Sequence, residues 1–285
     1  SVHGNDEAGG PDSYFRFTFP ADGEYMLLIH DHLKKGGPNY CYRVEFTPVE
    51  VSTQLSVPKV AQYSQERQSF AVPRGNRFAT LVNANRVNWG GDLNVSLDNL
   101  PAKVTYETEA MAGNMSVVPV VFEAPPDAPI AGTLASVQAR PVDPKLNFPS
   151  KFSYNAEYVI AGPGQSIYWQ RYENRVSVAV TEEAPFKISI VEPKVPLVHG
   201  GTMQLKIVAE RAKDFKAAIT VVPLYNPPGV GSVGSVVIPE GQNECLFLLN
   251  ANGGAPVRKW KYAVMAVSNA GKGPVWVSSQ LATVE

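Results

Sequence analysis

Two similar stretches of this 285-residue chain decide its fold: residues 75–86, GNRFATLVNANR, and residues 200–211, GGTMQLKIVAER. The second stretch begins 200 − 75 = 125 positions after the first. Residues of similar character recur at that spacing: Gly75 and Gly200, Phe78 and Met203, Val82 and Ile207, Ala84 and Ala209, Arg86 and Arg211. Because self-similarity at a fixed spacing indicates repeated units, the two stretches predict two copies of one domain.

The similarity continues downstream at slowly increasing spacing. At 126 positions, Leu93, Val95 and Val104 correspond to Ile219, Val221 and Val230; at 127 positions, Pro101, Ala124, Ala128 and Pro129 correspond to Pro228, Ala251, Ala255 and Pro256. The drift is typical of small loop insertions between matched strands. Each copy has roughly the length of an immunoglobulin-like β-sandwich, about 100 residues.

The repeat also distinguishes strand from helix. Residues 206–219, KIVAERAKDFKAAI, are compatible with an amphipathic helix when taken alone. Their counterpart, residues 81–93, LVNANRVNWGGDL, contains two glycines and three asparagines, which disfavour a helix. Since related copies share one structure, we predict strand, loop and strand in both.

An aromatic insertion distinguishes the first copy from the second. After the matched Ala-Pro pair the first copy takes 53 residues (130–182) and the second takes 29 (257–285), a difference of 53 − 29 = 24 that we place within 141–175. Tyr154 and Tyr158 lie there, and Tyr168, Trp169 and Tyr172 form the predicted ligand-binding platform for carbohydrate or peptide. The alternative is that these rings pack between domains or inside the sandwich.

Composition excludes several classes of function. Lysine plus arginine number 25 and aspartate plus glutamate 26, so the net charge is −1 and no footprint for nucleic acid or an anionic membrane exists. No apolar run is long enough for a membrane span, and the first residues are too polar for a secretory signal. The two cysteines, Cys41 and Cys245, are expected to be buried thiols, with Cys245 at the position of Val118.

The first 49 residues predict three strands that form half of a sandwich. Alternating apolar residues occur in 14–19, 25–29 and 40–46, and turns are predicted at 20–23 and 34–38. Three strands in about 45 residues cannot close a core alone. We therefore expect this segment to need a partner.

These opening residues carry a string that is typical of one family. The matched residues are Asn5-Asp6-Glu7, Asp12-Ser13-Tyr14-Phe15, Pro20-Ala21-Asp22-Gly23-Glu24-Tyr25, Asp31 and Gly36-Gly37-Pro38-Asn39-Tyr40-Cys41-Tyr42-Arg43-Val44. They resemble the second half of the bacterial pre-peptidase C-terminal domain. The resemblance implies a jelly-roll-like β-sandwich that accompanies secreted bacterial enzymes and surface proteins. Followed by immunoglobulin-like repeats, it is similar to large exported proteins of planctomycete-like bacteria.

Metal sites have two candidates. Asn5, Asp6, Glu7 and Asp12 lie in a glycine-rich loop, and some members of the resembled family hold calcium near this region, so calcium is the one cofactor considered. The competing interpretation is a solvated turn. The segment His30-Asp31-His32 offers two imidazoles, which is too few for a zinc site.

No motif predicts catalysis. The four histidines, His3, His30, His32 and His199, lie outside any G-x-S-x-G or H-E-x-x-H pattern, and no catalytic residue is assigned. Residues 229–234, GVGSVG, lack the lysine of a phosphate-binding loop and predict a hairpin loop. A hydrolase with its site at a domain junction remains an alternative.

The sequence therefore predicts an all-β chain: a partial jelly-roll-like β-sandwich module and two tandem immunoglobulin-like β-sandwiches, arranged as a rod. The domains are 1–49, 50–185 and 186–285. The predicted function is a non-catalytic, extracytoplasmic accessory, adhesion or spacer segment of a larger secreted or surface bacterial protein. Its partners would be other domains of the parent polypeptide, or a glycan or protein at the cell surface. A carbohydrate-binding module is the main alternative.

Overall fold

A computed structural model describes residues 14–31, 33–59, 69–160, 166–271 and 273–285. The chain divides into two compact units, Ser1–Pro48 and Val49–Glu285, and each is described by itself.

The first unit differs from the sequence prediction. Its described part, 14–31 and 33–48, contains turns but no strand, so the three predicted strands are not formed there. The aromatic rings of Phe17 and Phe19 do pack against Tyr25 across the predicted turn at 20–23. Other apolar residues of this unit, such as Phe46, are exposed. A strand layer buries its apolar face only against a second layer, and this unit supplies none within its described residues.

The second unit contains two β-sandwiches. The strands of the first sandwich are β1 (Ser52–Ser56), β2 (Phe70–Pro73), β3 (Asn76–Val87), β4 (Leu93–Asp98), β5 (Thr105–Thr108), β6 (Val117–Ala124), β7 (Gly132–Pro141), β8 (Ser150–Phe152), β9 (Tyr154–Ile160), β10 (Ile167–Glu173) and β11 (Val176–Thr181). They form sheets in the order β5-β6-β3-β1-β8 and β2-β11-β7-β4, plus the separate hairpin β9-β10.

The strands of the second sandwich are β12 (Phe186–Ile190), β13 (Thr202–Arg211), β14 (Ile219–Pro223), β15 (Val230–Ser232), β16 (Val236–Ile238), β17 (Glu244–Ala251), β18 (Trp260–Tyr262), β19 (Val264–Asn269), β20 (Pro274–Ser278) and β21 (Ala282–Val284). The sheets have the orders β12-β13-β17-β15 and β16-β14-β19-β20, and β18 pairs with β21. This arrangement matches the two sheets of an immunoglobulin-like sandwich.

The sheet orders confirm the internal repeat. β3, β5 and β6 occupy the same places in the first sandwich as β13, β15 and β17 in the second, and β4 pairs with β7 as β14 pairs with β19. The predicted strand, loop and strand over 206–219 are confirmed, because β13 ends at Arg211 and β14 begins at Ile219. Repetition therefore predicted local structure better than the helical periodicity of one segment.

Three strands form within the stretch that we predict to be an insertion. Strands β8, β9 and β10 occupy 150–173, between the paired strands β7 and β11 of the first sandwich. β8 extends one sheet by pairing in parallel with β1, and β9 continues from it into the hairpin. The insertion thus attaches to the edge of a sheet.

Two other predictions need correction. Cys245 is buried as expected, but Cys41 is exposed, since the unit that contains it has no closed core in its described residues. Residues 229–234 do not form a simple hairpin loop. β15 pairs with β17 and β16 pairs with β14, so this segment passes from one sheet of the second sandwich to the other.

The two sandwiches are packed together through outer sheet faces. In β3 and β6, Ala79 and Val121 are cross-strand neighbours, and both are buried although the adjacent Phe78 and Phe122 fill the core side. In β19, Val264 belongs to the second sandwich's cluster, whereas Met265 belongs to the cluster of the first. Trp260 and Leu281 join that first cluster too, and Trp276 packs against it. The sandwiches therefore lie face against face, which differs from the end-to-end arrangement expected of a rod.

Candidate binding surface and the joint between the sandwiches

The hairpin β9-β10 carries all three residues predicted to bind ligand. Its strands pair in antiparallel register, with Tyr154 opposite Glu173 and Glu157 opposite Gln170. The pairing is irregular on both sides of Trp169, which is where β-bulges occur. Tyr168, Trp169 and Tyr172 are all exposed on β10, with Trp169 59% and Tyr172 73% accessible.

One face of the hairpin combines an aromatic pair with a charged pair. The ring centroids of Tyr158 and Trp169 are 5.4 Å apart and their planes are tilted by 42°. The Tyr158 hydroxyl donates a hydrogen bond of 3.1 Å to Oε1 of Glu173, and this bond raises the pKa of Tyr158. Arg171 Nε lies 3.8 Å from the same carboxylate oxygen. These groups together offer an aromatic surface beside hydrogen-bonding groups.

Tyr172 belongs to the opposite face. It lies opposite Asn155, whose Nδ2 donates a 2.6 Å hydrogen bond to Oε1 of Gln170. On β9 the next residue of that face, Glu157, is buried and paired with Lys59. Since neighbouring side chains of a strand alternate, Trp169 and Tyr172 point to different sides of the hairpin.

The predicted trio is therefore brought into one strand but is divided between two faces. The residue that sequence reasoning left out of the site is Tyr158, the ring beside Trp169. A two-residue periodicity applied to 167–173 separates Trp169 from Tyr172. The pairing with Tyr158 depends on the register of two strands and on the bulges, which one segment of sequence does not reveal.

Calcium binding by the opening residues stays a prediction. Asn5, Asp6, Glu7 and Asp12 lie outside the described residues. Within the described part of the chain, no group of three or more His, Cys, Asp or Glu side chains is placed to hold a metal ion. Asp31 uses its Oδ2 to accept hydrogen bonds from the backbone of Leu33 and Lys35, as a turn residue does.

The described histidines interact with backbone groups. Nδ1 of His30 lies 3.3 Å from the carbonyl oxygen of Asp31, and Nε2 of His199 lies 2.8 Å from that of Ala255. His3 and His32 are outside the described residues. A hydrolase site at a domain junction would gather a histidine with carboxylates, whereas His30 and His199 contact backbone carbonyl oxygens.

Charged residues cross the contact between the sandwiches at a place that we name the joint, formed by residues 107–109 and 258–261. Lys261 Nζ lies 3.4 Å from Glu107 Oε1, and Arg258 lies 3.5 Å from Glu109 Oε2. The Arg258 guanidinium also stacks over Trp260, 4.2 Å from the ring centroid. A cation on an aromatic face adds attraction that an exposed ion pair lacks.

Glu109 is the most constrained carboxylate of the joint. Its side chain is 12% exposed, and Oε1 is buried without a hydrogen bond. Burial raises the pKa of Glu109, and the Arg258 guanidinium opposes this rise. Nearby, the Tyr225 hydroxyl donates a 2.5 Å hydrogen bond to the carbonyl of Lys261, and burial raises the pKa of that tyrosine well above its usual value. The joint thus contains a partly compensated buried charge.

A polar depression of about 240 Å³ lies beside the joint. Its lining includes Glu107, Val121 and Gln280, together with the ion pair of Arg77 and Glu123. The two nitrogens of Arg77 contact the two Glu123 oxygens at 3.0 and 3.1 Å, which is bidentate geometry. These groups are occupied with one another.

Among the residues that the structure describes, none forms a helix long and apolar enough to cross a lipid bilayer.

Comparison with known proteins finds solved structures that align with this chain at low similarity. No family model and no curated protein sequence matches the chain. Among solved structures, the D00-D0 domain of intimin aligns with 81% of this chain and 99% of its own, at 6% identity and a TM-score of 0.26. Domains 4–9 of the surface layer protein SbsC align with 79% of this chain and 31% of their own, at 14% identity and a TM-score of 0.28. The tandem Ig repeats of Dlar align with 83% of this chain and 98% of their own, at 10% identity and a TM-score of 0.27. These scores carry no functional argument, and the immunoglobulin-like assignment follows from the sheet orders above.

Proposed function

We propose that this chain is a non-catalytic, extracytoplasmic accessory segment that spaces or anchors other parts of a larger exported protein. The observation that carries the proposal is the buried contact between the sandwiches, where Met265 and Trp260 join the core cluster of the first sandwich. Domain contacts that are large and apolar restrict relative motion, whereas beads on flexible linkers move independently. A stiff pair of sandwiches suits the transmission of position or force.

The proposal includes a division into domains 1–49, 50–185 and 186–285. The resemblance of the opening residues to the pre-peptidase C-terminal domain supports an exported bacterial origin, and it belongs to the same proposal. So does calcium binding by Asn5, Asp6, Glu7 and Asp12. Adding calcium to chelator-treated protein should raise its thermal midpoint if those residues bind the ion, and an unchanged midpoint would remove calcium from the proposal.

Stiffness is tested by a distance distribution between the sandwiches. Spin labels at Leu134→Cys in the first sandwich and Val237→Cys in the second sit at exposed positions. The background carries Cys41→Ser and Cys245→Val, the latter because Val118 occupies the repeat-equivalent position. Double electron–electron resonance should give one narrow distance distribution, since the outer sheet faces hold the sandwiches together.

The matched control is Met265→Lys in the same labelled protein. A charge introduced at a fully buried position of the contact should broaden the distribution. A broad distribution in the unmodified contact would contradict the stiff-spacer proposal. Location is tested separately: fractionation of the source cells should recover the chain outside the cytoplasm, and recovery in the cytosol would contradict export.

Carbohydrate binding by the hairpin is the second proposed function. The observation that favours it is the exposure of Trp169 beside Tyr158, with the carboxylate of Glu173 hydrogen-bonded at their side. A pyranose ring presents an apolar face of C–H groups and a rim of hydroxyls, which suits an aromatic surface next to a charged pair.

A tryptophan fluorescence titration with soluble polysaccharides tests this function. Binding should shift the emission of Trp169, and Tyr158→Ala, which removes the neighbouring ring and keeps the reporter, should weaken the response. Tyr172→Ala removes a ring from the opposite face of the hairpin. Binding at the Trp169 face should therefore survive that substitution. Val257→Ala, an exposed apolar change in the second sandwich, is the control. The absence of any response to a panel of polysaccharides would remove this second function.

A further inference from the structure

One pair of neighbouring strands has the same register in both sandwiches. In the first sandwich, β3 and β6 pair Ala79 with Val121 and Leu81 with Pro119. In the second, β13 and β17 pair Gln204 with Leu248 and Lys206 with Leu246. The offsets of 125 for β3 and 127 for β6 convert the first set of pairs into the second. Leu246 and Leu248 therefore occupy the positions of Pro119 and Val121.

In the first sandwich, the residues at these positions face the second sandwich. Val121 is 4% exposed and its pair Ala79 is 2% exposed, because β6 is covered on its core side and on its outer side. Strands covered on both faces carry continuous apolar runs, while strands with a solvated face alternate. The run Val117–Phe122, VVPVVF, follows this rule.

Strand β17 also has a continuous apolar sequence, but its outer face is not covered by another sandwich. Its residues 245–249, CLFLL, are continuously apolar. Phe247 and Leu249 fill the second core, whereas Leu246 is 54% and Leu248 is 37% exposed. Polar groups surround these two leucines: Lys206 pairs with Glu244 at 2.6 Å, and Gln204 stands opposite Leu248. An apolar centre with a polar rim is the usual composition of an interface.

The outer face of β4 and β7 in the first sandwich is polar. There, Gln138 donates a 3.2 Å hydrogen bond to Asp98, and Asn94 pairs with Arg140 across the strands. The outer face of β13 and β17 is thus the one that matches the face already used for stacking.

We propose that the outer face of β13 and β17, centred on Leu246 and Leu248, docks a further immunoglobulin-like sandwich. The partner would present an apolar outer face like that of β14, β19 and β20, with a methionine and a tryptophan at the positions of Met265 and Trp276. A second copy of this chain cannot supply its own such face, because the first sandwich already covers it. Two leucines make a weak contact, but tethering in one polypeptide raises the effective concentration to the millimolar range.

An added sandwich tests this docking directly. Residues 182–285 are appended a second time after Glu285, in a background of Cys41→Ser and Cys245→Val, and the original Leu246 is changed to cysteine. We expect maleimide labelling of this cysteine to be at least ten-fold slower in the extended chain than in the unextended one. Replacing Met265 and Trp276 of the appended copy by lysine should restore fast labelling, and Val257→Cys should label equally fast in both chains.

Two results would overturn the proposal. Equal labelling rates at position 246 in both chains would do so, whether the appended copy stays undocked or fails to fold, since the face is expected to hold it as β3 and β6 hold the second sandwich. The double substitution Leu246→Lys and Leu248→Lys in the unextended chain should leave the thermal midpoint within about 2 °C. A larger fall would show that the leucines serve this chain's own fold. Failure of docking leaves the stiff-spacer function untouched, because that function depends on the contact already present.

Discussion

At the scale of single residues, one arginine is used identically in both sandwiches. Arg86 lies at the C-terminal end of β3 and donates hydrogen bonds of 2.6 to 3.1 Å to the carbonyls of Gly91, Met115, Met111 and Ala112. Arg211 donates to Gln242, Ala217 and Pro239 in the same way. Each guanidinium also lies over an aromatic ring, Arg86 over Trp89 and Arg211 over Phe215. Burial lowers the pKa of Arg86, and Asp92 opposes this change.

Loss of the Arg86 hydrogen bonds should lower the stability of the first sandwich. Arg86→Met removes the guanidinium donor from four carbonyls, of which Met111 and Ala112 keep a backbone donor, and we expect the free energy of unfolding to fall by about 2–4 kcal/mol. Arg86→Lys should recover only part of the loss, because one ammonium cannot reach the same fork of acceptors. Urea denaturation measures both. Arg140→Met, at an exposed position of β7, is the control, and a loss at Arg86 no larger than at Arg140 would contradict the assignment.

The carboxylate of Glu109 should make stability depend on pH. Burial raises its pKa in the folded state, so between the ordinary and the raised value the folded chain binds more protons than the unfolded chain. Stability contributed by this group is therefore present at acidic pH and is lost as pH rises through that window. Arg258 and Lys261 face Glu109 and weaken the effect, while Tyr225 stands beside it.

Glu109→Gln should flatten this part of the profile, since the amide does not ionise. Unfolding free energies measured from pH 4 to pH 8 give the comparison, and Glu240→Gln at an exposed turn removes a carboxylate away from the joint. A wild-type profile and a Glu109→Gln profile of equal slope would show that Glu109 is not the responsible group.

At the scale of strands and turns, periodicity and repetition predicted what is local. The repeat located β13 and β14 against a competing helix, and the length difference located the hairpin. The three strands at 14–46 were predicted from alternation alone, which identifies a face but not the layer that covers it. The division of Trp169 from Tyr172 was available from alternation, whereas the approach of Tyr158 depended on the bulged register.

The turn before β15 has a glycine that the fold requires. Gly229 has φ of 78°, and a Cβ there would lie 2.5 Å from the Cα of Ala255. Gly229→Ala should therefore lower the free energy of unfolding by about 2–4 kcal/mol, since backbone cannot move aside as a side chain can. Gly234→Ala, five residues further along the chain with no neighbour within 4 Å, should change stability by about 0.5 kcal/mol or less. Similar chemical-denaturation midpoints for the two variants would contradict this account.

At the scale of the second unit, the sandwiches are joined by hydrophobic burial and not by a linker. The sequence contained a signal of this contact in the uninterrupted apolar run of β6, which alternation-based reasoning treats as one more core strand. The partner face on β19 has the same property, with Val264, Met265 and Ala266 all fully buried. A strand that is apolar on both faces is predicted to be covered on both faces. Tertiary packing decides which element covers the outer face, so the sequence pattern does not identify that element.

A shared hydrophobic cluster makes the two sandwiches one cooperative unit. Calorimetry of Val49–Glu285 within the full chain should show a single transition, because unfolding either sandwich exposes the face that buries Met265 and Trp260. Met265→Lys places a charge at that buried face, so we expect a loss of about 3–5 kcal/mol and separation into two transitions. Leu248→Lys, on the exposed outer face of the same sandwich, should leave one transition at nearly the same temperature. Two transitions in the unaltered chain would mean that the buried contact does not couple the sandwiches, and the stiffness proposed for their function would then need another source.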